Sequence, residues 1–239
     1  MELNIAHVYP ELLNLYGDSG NLVTLKARLS KRNIDVKIIE YSLNDSIDFS
    51  NIDILYIGGG TDREQLTACE NLYKVKDSIK SYANDGGTIL AFAAGYPLLG
   101  EYYELNNEKI KALELIDMYT EQSNDRFIGN VILQSELLNS TVVGFENHSS
   151  KTFLNNQTSL GKVEHGYGNN GNRDLEGVVN KNIIGTYLHG PLLPKNPKLA
   201  DYILKNALDK KYGSAELQPL DDNLENMAHD YIINRYIKR

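Results

Sequence analysis

Three turns hold the residues of this chain whose types and spacing could do chemistry. TILAFAAGYPLLG (88–100) reads as a buried strand entering a tight turn and then a helix. That arrangement presents a nucleophile in many enzymes, yet this turn offers only Ala93, Ala94 and Gly95. IDILYIGGG (52–60) ends a second strand in Gly58, Gly59 and Gly60. Both turns leave backbone N–H groups with little side chain in the way, so a phosphate or a developing oxyanion could approach closely. TYLHGP (186–191) places His189 at the end of a strand, with Gly190-Pro191 breaking the chain behind it. An imidazole there is suited to general-base work. A nucleophile at 93 with a base at 189 would form a dyad of the Cys-His kind.

Each feature also has a plain reading. Glycine turns are often only tight turns, and a lone His is usually a surface or satisfied core residue. It is the pairing of the two turns that points to a site. No G-x-x-x-x-G-K-[ST] run occurs and no G-x-G-x-x-G opens the first helix, which speaks against a nucleotide phosphate. No His, Cys, Asp and Glu grouping has metal-ligand spacing. His148 reads as a hydrogen-bonded structural residue, and His7 and His165 as structural residues rather than ligands. Glu146 is close enough in sequence to orient a base, but no spacing rule supports that role. Cys69 lies mid-helix in LTACENLYK, with no elbow to expose it.

The elements that must position these turns follow from periodicity. NIAHVY (3–8) is a first strand. A helix follows, with Asp18 or Ser19 as N-cap and Leu22, Leu25 and Leu29 on one face. DVKIIEYS (35–42) and IDILYIGGG are strands two and three, and 62–84 is a helix stopped by Asn84-Asp85-Gly86-Gly87. TILAFA is apolar throughout, as strands buried on both faces tend to be. This order predicts an open, largely parallel sheet, whose ligands sit at the carboxyl ends of strands near a switch point. Beyond residue 110, LELIDMYTEQ, RFIGNVILQS and STVVGFENH are β-like, a Gly/Asn-rich loop spans 166–177, and helices cover 197–211 and the tail. The basic end, Arg235 to Arg239, reads as a solvated helix terminus. With no repeat and no long linker, the chain reads as one elaborated domain.

The 239 residues suit one α/β domain or a domain with an appendage, and 41% hydrophobic with 23% charged residues is ordinary for a globular protein. The net charge of -8, from 32 acidic against 24 basic residues, excludes broad nucleic-acid binding. One cysteine rules out an internal disulfide framework and fits the cytoplasm. The N-terminus lacks a signal-peptide pattern, and no apolar run approaches the ~20 residues of a membrane span.

Six stretches, in order, make the chain recognisable: LNLYGDSGN (13–21), IGGGTDREQ (57–65), AGYPLLG (94–100), VVGFENHSSKT (142–152), GYGNN (166–170) and GTYLHGPLLPKN (185–196). Together they resemble the glutaminase (GatD-type) subunits of lipid II isoglutaminyl synthases, class I glutamine amidotransferases of the cobyric acid synthase type. The resemblance covers residues 1–212, leaving 213–239 as a C-terminal helical extension of the same domain. It implies a flavodoxin-like α/β fold: an open, mostly parallel sheet flanked by helices, with an extra β-rich C-terminal half. It also implies glutamine hydrolysis by a Cys on the elbow and a His on a later strand. The ammonia would pass to a Mur-ligase-like, ATP-dependent subunit in a heterodimer, which amidates the D-glutamate of lipid II. No cofactor is then expected in this chain; ATP and Mg belong to the partner, and glutamine is the small-molecule ligand.

Carried over by residue, the resemblance makes His189 the catalytic His and Ala93 the position of the nucleophile. Arg126 matches the arginine that holds the glutamine carboxylate, Gly60 and Ala94 supply oxyanion-hole N–H groups, and Gln65, Gly58 and Gly59 line the pocket. The departures fall on the elbow. The family reads C-G-G-Y-Q, while this chain reads Ala93-Ala94-Gly95-Tyr96-Pro97, so three of the five positions differ. A methyl group cannot attack an amide, and the thioester route is closed. Pro97 removes a side chain able to meet the substrate and also a backbone N–H. Several changes together point to natural degeneration rather than one engineered substitution. The expectation is a pseudo-glutaminase with fold and partner surface kept. The alternatives are a non-catalytic scaffold or glutamine sensor, or an amidotransferase subunit for another acceptor, such as a cobyrinate-type ligase.

Overall fold

A computed structural model describes residues 1–237; of the basic tail end, Lys238 and Arg239 lie outside the described residues. The first half alternates strand and helix: β1 (Glu2–Val8), α1 (Ser19–Ser30), β2 (Asp35–Tyr41), β3 (Ile54–Ile57), α2 (Asp62–Lys74), α3 (Lys76–Asn84) and β4 (Thr88–Phe92). A β-rich stretch follows, with β5 (Tyr102–Leu105), β6 (Glu108–Lys111), β7 (Met118–Ser135), β8 (Ser140–Leu154), β9 (Gly161–His165), β10 (Leu175–Glu176), β11 (Val178–Asn180) and β12 (Ile183–Thr186). Two helices close the chain, α4 (Pro197–Tyr212) and α5 (Asn223–Tyr236).

The main sheet runs β11-β12-β4-β3-β1-β2, parallel except for β11. Alternation along its strands divides the core. Ile54, Tyr56, Leu90 and Phe92 face the α1 and α4 leucines, whereas Leu55, Ile57, Ile89 and Ala91 face Ala68, Leu72 and Ile79 of α2 and α3. Every residue of β3 and β4 is therefore buried. Strand order reverses between β1 and β3, so a crevice opens at their carboxyl ends. A second sheet, β10-β9-β7-β5-β6 with β8 on β7, supplies the wall beside it.

Several expectations change in detail. Residues 62–84 form two helices, because Val75 leaves the helical region at φ -113° and ψ 17°. The elbow does not enter an α-helix. It makes two 3-10 turns, Ala93–Gly95 and Pro97–Leu99. Pro97 has no N–H to give the Ala93 carbonyl, which instead accepts from Tyr96 at 3.1 Å. The segments expected at 113–122 and 126–135 join into the 18-residue β7, with a register shift between Gln122 and Phe127. β12 stops at Thr186, three residues before His189, because the Tyr187 N–H donates to the buried Glu176 carboxyl at 2.8 Å. His189 then pairs as an isolated bridge, its N–H donating to the Phe145 carbonyl at 2.9 Å. The β5–β6 hairpin was unexpected; its turn is Asn106-Asn107, both at positive φ, which asparagine tolerates.

The tail is strapped down by polar contacts. The buried Arg28 donates to both Asp201 and Asp222 over 2.6–3.0 Å, and Arg32 donates to the Gln218 carbonyl at 2.7 Å. Further along, His229 bridges Thr141 and the Lys195 carbonyl at 2.7 Å each, and Ile233 packs on Ile132 and Val143.

Candidate functional site

The ends of β3 and β4, the loop after β1 and the segment after β12 meet at a cavity of about 400 Å³. Tyr16, Gly60, Gln65, Ala93, Ala94, Arg126, His148 and His189 are among its lining residues. The three turns read from sequence thus reach one place, although not every residue faces inward.

The elbow keeps its strained geometry. Ala93 sits at φ +50° and is almost wholly buried. That left-handed conformation costs a non-glycine residue about 1–2 kcal/mol. Behind it the packing admits no side chain: a Cβ on Gly59 would lie 2.6 Å from the Ala93 Cβ, and one on Gly95 would lie 2.7 Å from the Gly58 carbonyl oxygen. Gly58 and Gly59 accordingly do not line the cavity. The Gly59 N–H is also taken, donating to Asp18 Oδ2 at 2.9 Å. Gln65 reaches the cavity, but its Nε2 donates to the Ala94 carbonyl at 2.8 Å, so it braces the elbow.

His189 is only 4% exposed, and both ring nitrogens lack a partner among the described residues. Tyr16 stacks on one face at 4.2 Å between centroids and 17° between planes, while Phe145 meets it edge-on at 5.8 Å. Burial pushes the imidazole pKa down to about 4, with the nearby His148 acting in the same direction. His189 is therefore uncharged at neutral pH, and no carboxylate pairs with it among the described residues. Glu146 does not orient it. Its carboxylate accepts from the Tyr167 and Gly168 N–H groups at 2.7 and 3.0 Å and lies 3.6 Å from His148 Nε2. His148 stacks on Tyr187 at 3.7 Å and pairs with the Ser150 carbonyl, forming part of the cavity wall.

Arg126 projects from the irregular part of β7, where a bulge re-aims the strand. Its Nε and Nη2 both donate to Asn147 Oδ1, at 3.1 and 2.8 Å. The guanidinium is exposed at the cavity and can turn its fork to a carboxylate.

Within LNLYGDSGN the sequence marks no role beyond an N-cap. Asp18 makes no side-chain cap. Fully buried, it is pushed up to about pKa 6 by desolvation, against hydrogen bonds from the Gly59 and Tyr16 backbone. Asn21 accepts from the Leu193 N–H at 2.8 Å, so this loop ties the glycine turn to the segment behind His189. Cys69 stays out of the site: it is buried on α2, and burial pushes its thiol up to about 11. His7 packs edge-on to Tyr56, and His165 lies against Tyr236. No group of three metal-ligating side chains occurs among the described residues, and no described helix is long and apolar enough to cross a membrane.

The cavity can thus hold a small polar molecule carrying a carboxylate and a hydrogen-bonding end, and the elbow facing it carries a methyl group. The sequence pattern of the CobB/CobQ-like glutamine amidotransferase domain matches residues 4–197. The chain belongs to this amidotransferase family. It is 40% identical over 235 residues to the glutamine-hydrolyzing lipid II isoglutaminyl synthase subunit GatD of Staphylococcus aureus, covering 98% of this chain and 96% of that one. It is 41% identical to the corresponding Streptococcus pneumoniae subunit, with coverages of 96% and 90%. Among solved structures, a glutamine amidotransferase superposes with a TM-score of 0.57 at 16% identity, covering 84% of this chain and 98% of that one, which supports the fold. The expected α/β amidotransferase architecture is therefore the observed one.

Proposed function

We propose that this chain is the glutaminase-type subunit of a lipid II isoglutaminyl synthase that has kept its glutamine pocket and lost hydrolysis. The observation that carries the reading is the end-to-end likeness to two subunits bearing that name, matched over 96% and 90% of their length. Glutamine would set its α-carboxylate on Arg126, two parallel N–H···O bonds suiting a planar fork. Its carboxamide would lie between Ala93 and His189, with the Gly60 and Ala94 N–H groups toward the carbonyl oxygen. No covalent step follows, because Ala93 offers no lone pair and no thioester can form.

The partner in this reading is a Mur-ligase-like subunit that binds ATP and Mg and amidates the D-glutamate of lipid II. The heterodimer would work in the cytoplasm, in keeping with a single reduced thiol. The decisive experiment co-expresses the chain with a Mur-ligase-like subunit and measures ammonia release from glutamine by the purified complex. Background release with glutamine bound is expected. Sustained turnover would overturn the loss of hydrolysis, and failure to co-purify would overturn the partner.

A further inference from the structure

α5 carries apolar side chains on two opposite faces. One face is used within the chain: Asp222 pairs with Arg28 at its start, His229 bridges Thr141 and the Lys195 carbonyl, and Ile233 packs on Ile132 and Val143. The Tyr236 hydroxyl completes it by accepting from Asn130 at 2.9 Å. At about 100° per residue these four positions share one narrow sector of the helix. Leu224, Met227 and Tyr231 fall in the opposite sector, and they are 78, 68 and 62% exposed. Scattered exposed apolar residues need no explanation, but three aligned at i, i+3 and i+7 have the spacing of a helix that lies in an apolar groove. α5 also begins at Asn223, well past residue 197, where the match to the amidotransferase pattern ends. The charges around the stripe have one sign. From Gly213 to Asn234 the chain has no Lys or Arg. Glu216, Asp221, Glu225 and Asp230 have no ion-pair partner among the described residues, and Glu225 and Asp230 stand on opposite flanks of the helix.

We propose that α5 docks the chain on its Mur-ligase-like partner, with Leu224, Met227 and Tyr231 lying in an apolar groove whose rim carries Lys and Arg. The proposal rests on the partner named above and adds the surface that meets it. Charge decides against a second copy as the occupant. Antiparallel pairing of two α5 helices about Met227 would set Glu225 against Asp230, and parallel pairing would set each acid against itself. Like charges across an interface are costly. A stripe of three side chains also falls short of the roughly 800 Å² per partner of a stable interface. A groove wraps the flanks as well, and basic groups on its rim would meet Asp221, Glu225 and Asp230. Met and Tyr are enriched at the centres of such contacts, and Tyr is a frequent hot spot.

The test measures Kd between the full-length chain and a Mur-ligase-like subunit by surface plasmon resonance at low and high salt, with sedimentation of the chain alone. Met227→Glu and Tyr231→Ala should each weaken binding about tenfold or more, and Asp230→Lys should weaken it several-fold. Melting temperatures should stay unchanged, because all three side chains are exposed. High salt should weaken the parent and bring it closer to Asp230→Lys. The chain alone should sediment as a monomer. If the parent binds and the stripe variants bind equally well, the docking surface is overturned while the partner reading stands. Tighter binding by Asp230→Lys would overturn the basic rim and the proposal with it. A dimer of the chain alone that Met227→Glu dissolves would overturn it in favour of a second copy. If the parent does not bind the ligase-like subunit, the partner reading falls, and the occupant assigned to the stripe falls with it.

Discussion

Ala93 and Gly59 stand back to back at the elbow, so close that a Cβ on Gly59 would fall 2.6 Å from the Ala93 Cβ. The backbone of a nucleophile-bearing turn survives here around a methyl group, still at φ +50°. Gly59→Ala should cost about 1–3 kcal/mol, as over-packing of a filled core does. Ala93→Gly removes both the clash partner and the left-handed penalty, so the double variant should recover part of that loss. Urea unfolding of the three variants gives the coupling between the sites. Additive effects would show that the two residues do not meet.

A thiol at position 93 should be accommodated, since the side chain there points to the cavity. Ala93→Cys should react with iodoacetamide in the folded protein, while Cys69, buried and with its thiol pushed up to about 11, reacts only on unfolding. Mass spectrometry of the labelled peptides reads this directly. Ammonia release should stay low in the single variant, because Ala94 and Pro97 also depart from C-G-G-Y-Q. Glutaminase turnover restored by Cys alone would show that the other two changes are silent.

Arg126 is exposed, and among the described residues its guanidinium hydrogen-bonds only to Asn147. Arg126→Ala should therefore leave the melting temperature nearly unchanged and weaken glutamine binding tenfold or more, roughly the 1.5–3 kcal/mol of a charge-assisted pair. Calorimetry distinguishes a retained pocket from a pure scaffold. Equal heats for both proteins would remove Arg126 from the site.

Much of this arrangement was legible in the chain. TILAFA reads as a strand buried on both faces because every residue after Thr88 is apolar, and β4 is buried from Thr88 to Phe92. Strand order brings the glycine turn and the elbow to one crevice, whereas His189 joins them through the resemblance and through the pairing of β12 with β4. What stayed hidden depends on loops meeting across the sheet, which no local period encodes. Asp18 looks like a helix cap, yet its carboxylate turns to Gly59, 41 residues away. Tyr16 and His189 are 173 positions apart, and nothing in either neighbourhood announces their stack. Gly59 was read as a pocket wall, whereas its missing side chain serves the packing behind Ala93. The helix expected after the elbow stops within one turn because Gly100 is extended, at φ -81° and ψ -169°.

Glu176 gives the stability curve a shape opposite to that of a salt-bridged carboxylate. Its side chain is fully buried, accepts from the Thr186 hydroxyl at 2.6 Å and the Tyr187 N–H at 2.8 Å, and keeps Oε2 unpartnered among the described residues. Desolvation pushes it up to about 8, with the Glu146 carboxylate adding to the shift. The folded state therefore binds this proton more tightly than the unfolded chain, whose carboxyl titrates near pH 4–5. The resulting stabilisation is complete below the unfolded value and is lost as the pH rises toward 8. The loss amounts to roughly 3 kcal/mol or less, because surrounding groups relax. Glu176→Gln imitates the protonated form with the same shape. It should match the parent at pH 4.5 and exceed it in stability at pH 8. His189 works in the other sense: burial has pushed it down to about 4, so its contribution disappears as the pH falls from the unfolded value near 6.5 through 4. Denaturant midpoints across pH 4–8 for the parent and Glu176→Gln separate the two effects. A constant offset between the curves would mean that Glu176 is ionised throughout and held by partners that the present hydrogen bonds do not supply.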